Sequence, residues 1–178
     1  MRPSSRDRVV GGLIVVAGVS FQSLWLGRAA ALLSLALVIA YAVWIAGSWS
    51  LEGRSLQATY RVALVIFLLH ASEEFLTGFQ RRLPALVGDR WTDTQFLVFN
   101  AVWFTMFVLA DRGLRRRRPL AALIVLFFAL GGGVGNGIAH LVLVATQDGY
   151  FPGAWTAPLC LIVGTALLRQ LFTTRATA

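Results

Sequence analysis

The 178-residue chain contains no lysine and a single cysteine, and only 13% of its residues are charged. Each shortage removes a class of protein. One cysteine, Cys160, cannot form an internal disulfide. A soluble domain carries roughly a quarter charged residues, so this chain lacks the surface that water requires. All 16 basic residues are arginine, and no basic helix or aromatic-basic platform stands outside the apolar segments, which argues against a nucleic-acid partner. The run "GGGVGNG" has neither the Lys nor the Ser/Thr of a phosphate-binding loop and reads as a packing surface. Tandem repeats and low-complexity tracts are absent.

What is present is apolar. The chain is 57% hydrophobic with a mean hydropathy of +0.71. A membrane-spanning helix needs about 20 predominantly apolar residues, and six segments qualify. Residues 9–47 are too long for one span, since as a single helix they would reach roughly 58 Å against a hydrocarbon core of about 30 Å. They read as a hairpin turning near "LGR", where Gly27 supplies the turn and Arg28 faces the headgroups. The remaining spans are expected over 57–79, 94–110, 119–145 and 155–172, with Pro119 and Pro152 at edges. The N-terminus "MRPSSRDRVVGGLIVVAGV" has the look of a signal peptide, but the apolar pattern resumes at once as a second full span.

Alternating spans put Arg2, Arg6, Arg8, Arg54, Arg61, Arg112, Arg115, Arg116, Arg117, Arg118, Arg169 and Arg175 on one side and Arg28, Arg81, Arg82 and Arg90 on the other. The positive-inside rule makes the first side cytoplasmic. The expected architecture is therefore an all-α, polytopic transmembrane helix bundle of about six spans with both termini cytoplasmic. Residues 1–50 form a basic segment and a two-span hairpin, and residues 51–178 a four-span core. The tryptophans Trp25, Trp44, Trp49, Trp91, Trp103 and Trp155 fall mostly near span ends and are expected to anchor at the interface.

The third span ends in "LLHASEEFL". On an insertion scale Glu73 and Glu74 together cost about 5 to 7 kcal/mol, while the span's ten Leu, Ile, Val and Phe residues return about 3 to 6. The helix would insert more easily with leucines, so a partner or a function must account for the carboxylates. His70, Glu73 and Glu74 share one helix face, and Asn136 and His140 in "GGGVGNGIAH" do the same four residues apart. Counted along the helices, the two sets and Asn100 of the fourth span reach similar depths, roughly 20 to 30 Å above the cytoplasmic ends. The glycines from Gly131 to Gly137 allow another helix to approach closely, which would bring the two polar faces together. These groups could also simply satisfy one another and pin helix register.

"HASEE", followed by "GNGIAH" and "YFPGAWTA", resembles the HXXEE family of small bacterial membrane proteins over residues 60–170. Matched residue by residue, the family signature falls on His70, Glu73 and Glu74, with Asn136, His140 and the loop of Tyr150, Pro152 and Gly153 as its second half. The resemblance implies the bacterial cytoplasmic membrane and makes the first two spans an addition to the family core, but it brings no established activity.

The chemistry follows from the ligand set. Two histidines and a glutamate suit a mononuclear zinc site of His70, Glu74 and His140, with Glu73 as general base and Asn136 orienting a ligand or polarising a carbonyl. Asn100 and Tyr150 are possible supports. A di-iron centre wants four carboxylates where two are available. The leading expectation is a metal-dependent intramembrane hydrolase, with one divalent ion, acting on a lipid or other apolar substrate. The alternatives are a metal-free acid/base isomerase or cyclase, similar to what the emopamil-binding sterol isomerase group does, and a non-enzymatic proton relay, carrier or helix clasp.

Overall fold

The computed structural model describes residues 1–49, 51, 54–147 and 149–176, and among these there is helix and no strand. Helix α1 (Ser5–Leu26) begins at a reciprocal cap, in which Ser4 Oγ accepts from the Asp7 N–H at 3.2 Å and Asp7 Oδ2 accepts from the Ser4 N–H at 3.0 Å. It stops at Gly27, whose φ of 64° suits glycine, and a short 3-10 turn leads into α2 (Ala31–Ala46). The two helices fold back on each other: Ser34 Oγ donates to Gln22 Oε1 at 2.7 Å, and Tyr41 Oη donates to the Arg8 carbonyl at 3.0 Å. The hairpin expected at "LGR" is therefore formed where the sequence places it.

Helix α3 (Arg54–Thr77) is followed across Gly78 by α4 (Phe79–Ala85), and α5 (Asp93–Arg115) begins at a second reciprocal cap, between Thr92 and Gln95. Helix α6 (Pro119–Phe127) has its proline at the first position, where no N–H is missed. It passes through a π-helical segment (Phe128–Gly135) into α7 (Asn136–Thr146), and α8 (Ala157–Ala176) completes the bundle.

By length and apolarity, three stretches can cross a membrane (Ser5–Ala46, Asp93–Arg115 and Pro119–Thr146), and Ser55–Thr77 with Phe79–Ala85 makes a fourth. The first of these is the folded hairpin and supplies two passes, while α8 is shorter and closes the bundle against α3, α7 and the π segment. The passes alternate. At one end the Met1 ammonium donates to the Trp49 carbonyl, Trp44 Nε1 to the Pro119 carbonyl, and Arg61 pairs with Asp111 at 3.1 Å. At the other, the Ala29 N–H donates to Asp89, Trp91 Nε1 to the Leu26 carbonyl, and Arg82 to the Tyr150 carbonyl. Every arginine expected on the crowded side whose surroundings are described lies at the first end, and Arg28, Arg81, Arg82 and Arg90 lie at the second.

The structure departs from expectation in four features. The third span does not run to Phe79: Gly78 takes φ 86° and the chain bends by 77° into α4, which lies at the arginine-poor end. The fifth span is not uniform α-helix, because the glycine-rich run widens into π geometry, which rotates the face carried by α7. The glycines do not admit α3. A Cβ on Gly133 would lie 2.6 Å from Gly164 Cα, and one on Gly137 would lie 2.6 Å from Leu161 Cβ, so they seat α8. Finally, Trp44, Trp49 and Trp103 are buried in the core and are not interfacial anchors, whereas Trp155 is exposed as expected.

Lipid gives helices little hydrophobic reason to associate, so contact must come from packing. The core accordingly interleaves aromatic rings from three elements: Phe67 of α3, Trp103 and Phe107 of α5, and Phe127 and Phe128 of the fifth pass, with Phe107 and Phe128 edge-on at 4.7 Å. Below the polar cluster Tyr60 Oη donates to the Phe107 carbonyl at 2.9 Å, clamping α3 to α5.

Candidate functional site

The last turns of α3 present His70, Glu73 and Glu74, and the first turn and a half of α7 presents Asn136 and His140. The π segment ends immediately before Asn136, so the wider turn sets the direction in which Asn136 and His140 leave the helix. Over them lies the segment of residues 150–156 that connects to α8. It is tied down by Arg82, whose Nη1 donates to the Tyr150 carbonyl at 2.9 Å and whose guanidinium stands 4.8 Å over the Phe151 ring.

Three side chains converge. Glu74 Oε1 lies 3.3 Å from His70 Nε2 and 3.1 Å from His140 Nε2, and one ligand atom from each of the three residues falls within 4.8 Å of the others. The imidazole rings stand perpendicular with centroids 4.9 Å apart. His70 and His140 are each 1% exposed and Glu74 is 6% exposed. Gly153, at φ 91°, forms the roof: a Cβ there would lie 2.5 Å from His140 Cε1 and 2.9 Å from Glu74 Cγ. Phe79 and Phe151 pack against the His140 ring, whose Nδ1 is buried with no hydrogen-bond partner.

Glu73 points elsewhere. Its Oε1 accepts from Tyr150 Oη at 2.7 Å and from the Trp155 N–H at 3.0 Å; its Oε2 accepts from the Thr156 N–H at 2.9 Å and from Thr156 Oγ1 at 2.6 Å. Two of these donors are amides at the start of α8, where the helix dipole favours a carboxylate. Burial holds the Tyr150 phenol above its usual range, and the Glu73 charge acts in the same direction, which keeps its proton available for this bond.

This arrangement assigns the His70 tautomer. A hydroxyl has one proton, and Thr156 Oγ1 donates it to Glu73. Its 2.7 Å contact with His70 Nδ1 must then be donated by the imidazole. In neutral His70, Nε2 is therefore a bare lone pair, and it accepts from Asn136 Nδ2 at 2.6 Å. That lone pair also faces the carboxylate oxygen of Glu74 at 3.3 Å. Two acceptors at that distance repel unless a positive charge lies between them, either a second proton that makes His70 an imidazolium or a bound cation. His140 can neutralise only its own contact, by donating from Nε2 to Glu74.

Of the residues singled out from sequence, His70, Glu74, His140 and Asn136 come together, and Tyr150 joins them through Glu73. Glu73, expected as a general base beside the centre, is turned to the 150–156 segment with both oxygens engaged by its donors. Asn100 stays apart from the cluster and bonds within its own helix, donating from Nδ2 to the Phe96 carbonyl one turn back at 3.0 Å. Thr156, Phe79 and Phe151 were not foreseen, and Gly153 was pointed to only by the family resemblance. Thr156 carried a usable signal, a threonine one residue before a helix start with proline at the second position, yet its hydroxyl serves Glu73 and His70 in place of its own helix.

The fold and the cluster define a polytopic helical membrane protein with a buried His-Glu-His group near one end of the bundle. The chain belongs to the HXXEE family: residues 61–168 match the family described as proteins of unknown function with an HXXEE motif, and His70, Glu73 and Glu74 are that motif. No curated protein and no solved structure matches the chain.

Proposed function

We propose that His70, Glu74 and His140 hold one divalent metal ion, zinc by their ligand types, and that the protein is an intramembrane hydrolase. Its substrate is a lipid or other apolar molecule reached from the arginine-poor side, which we assign to the outer half of a bacterial cytoplasmic membrane. The carrying observation is the placement of His70 Nε2 and His140 Nε2 at 3.3 and 3.1 Å from one oxygen of Glu74. Ligands on a tetrahedral ion with bonds of about 2.0–2.1 Å stand about 3.3 Å apart. The support given to His70 Nδ1 by Thr156 is the kind of outer hydrogen bond that metal-ligating histidines make.

An ion there would supply Lewis acidity toward a carbonyl or phosphoryl oxygen. The chain's own residues would do the rest. Once the His70 Nε2 lone pair is engaged, the Asn136 amide is released to donate to the same substrate oxygen. The second oxygen of Glu74 takes the proton of the attacking water, a role that Glu73 cannot fill while its donors hold it. Phe79 and Phe151 keep the surroundings apolar.

Elemental analysis of detergent-purified protein tests the reading. Wild type should carry about one equivalent of zinc, manganese or iron, lost in His140→Ala and Glu74→Gln and retained in Glu73→Gln. Metal-free wild type whose turnover vanishes in Glu74→Gln would favour the acid/base isomerase or cyclase instead. Metal-free wild type made more stable by Glu74→Gln would reduce the cluster to a helix clasp.

A further inference from the structure

The proposed centre is closed. His70 and His140 are each 1% exposed, and Gly153 and Phe151 of the 150–156 segment cover the Glu74–His140 pair. Lifting that segment would uncover the pair at the arginine-poor end. The same segment carries Thr156, so its position cannot change without consequence for His70.

We propose that Thr156 is the positioning residue of the centre and that Glu73 is the latch of the 150–156 segment, so that opening the cover and releasing His70 from its tautomer are one event. This rests on the metal reading for its regulatory meaning and on hydrogen-bond geometry for its mechanics. One carboxylate, Glu73, receives the Tyr150 hydroxyl, the Trp155 and Thr156 amides and the Thr156 hydroxyl. Those donors are spread over both ends of the segment, and Arg82 holds only its beginning. The Thr156 hydroxyl is the single atom shared by the latch and by His70 Nδ1, at 2.6 and 2.7 Å respectively. When the segment lifts, Glu73 loses its donors, His70 loses the acceptor that holds its proton on Nδ1, and the Glu74–His140 pair loses its roof. Linkage runs both ways. A cation drawing on His70 Nε2 makes Nδ1–H a stronger donor, tightens its bond to Thr156 and holds the cover shut. Substrate that displaces the cover relaxes His70 and loosens the ion's grip. In this chain the two adjacent glutamates of the motif divide accordingly: Glu74 belongs to the centre and Glu73 to its cover.

Three measurements on the full chain in detergent test this, with zinc as the probe. Nitrogen-15 shifts of His70 in zinc-free protein should report Nδ1 protonated in wild type and in Thr156→Ser, and a mixture of tautomers in Thr156→Val. Zinc should bind about 10- to 100-fold more weakly to Thr156→Val and within a few-fold of wild type to Thr156→Ser. Amide exchange of residues 150–156 should accelerate at least tenfold in Glu73→Gln and Thr156→Val, with the rest of the bundle unchanged, and should slow on adding zinc to wild type but not to Thr156→Val. Wild-type tautomer or wild-type exchange in Thr156→Val would overturn the proposal even if zinc binds. Wild type that binds no zinc would overturn the metal reading alone, leaving the tautomer and exchange results to decide the coupling. Equal zinc affinity of wild type and Thr156→Val would overturn the coupling alone.

Discussion

Gly153→Ala isolates the roof over the centre. The residue sits at φ 91°, and an alanine Cβ there would meet His140 Cε1 at 2.5 Å, Glu74 Cγ at 2.9 Å and His140 Nε2 at 3.0 Å. Backbone strain at such a φ costs of order 1–3 kcal/mol for a residue with a Cβ, and the collision adds an overpacking penalty of typically 1–3 kcal/mol, because a buried ring and a helical carboxylate side chain have little room to retreat. The total, about 2–6 kcal/mol, corresponds to a fall in Tm of roughly 4–24 °C for a chain of this size. Gly78→Ala is the control. Gly78 has nearly the same φ, 86°, with nothing within 4 Å of the added Cβ, so it carries the backbone term without the collision. Thermal unfolding in detergent, with zinc titration of each variant, separates the two. Gly153→Ala should unfold several degrees below Gly78→Ala and bind zinc at least tenfold more weakly than it. If the two variants match in both measurements, the roof does not touch the centre and the closed-site reasoning fails.

Two further outcomes follow from the fold. Reporter fusions at the C-terminus and within residues 88–92 should fall on opposite sides of the membrane, with the C-terminus cytoplasmic, because the arginines crowd the end where α2, α5 and α8 finish; a periplasmic C-terminus would reject the topology. Gly133→Ala should destabilise by about 1–3 kcal/mol in denaturation assays, since its Cβ would meet backbone atoms of Gly164 and Cys160, which cannot turn aside as a side chain can. The adjacent Gly132→Ala, whose nearest atom is a Phe128 ring carbon at 3.7 Å, should be near neutral, and equal losses would show that α8 does not seat on this face.

The membrane passes were legible because their signal is long-range composition: each apolar run, and the arginine imbalance, survives any local irregularity. The polar faces were legible because three- and four-residue spacings are fixed by the helix itself. What periodicity does not contain is which way two neighbouring carboxylates divide. Glu73 and Glu74 lie on either side of the direction of His70 on the helix wheel, and the division is made by backbone amides of Trp155 and Thr156, donors that every residue type offers and that no spacing reveals. The bend at Gly78 and the π segment were hidden for a related reason. Glycine permits both without demanding either, and the choice is made by α8 packing on Gly133 and Gly137 and by the turn into α4. Tryptophan misled most. Near a span end it usually marks the interface, but Trp44 and Trp49 each donate to a backbone carbonyl, at Pro119 and Trp44, and so are used as internal ties.

The cost of two carboxylates in an apolar helix is answered differently for each. Glu73 lies where two backbone amides and two hydroxyls point at it, at the N-terminal end of α8, so its charge is stabilised by groups the fold already supplies. Glu74 is more deeply buried and meets two imidazoles. One of them, His70, keeps its Nδ1–H on Thr156, so its Nε2 meets Glu74 as a lone pair in the neutral ring and as an N–H in the imidazolium. In the neutral ring that nitrogen cannot donate to Glu74, whereas turning the Thr156 hydroxyl toward His70 would let it. Glu73 prevents that turn by accepting the hydroxyl's only proton. The two carboxylates are thus coupled: Thr156, by serving Glu73, leaves Glu74 to be balanced by a positive charge beside it, the second proton of a His70 imidazolium or the ion proposed above.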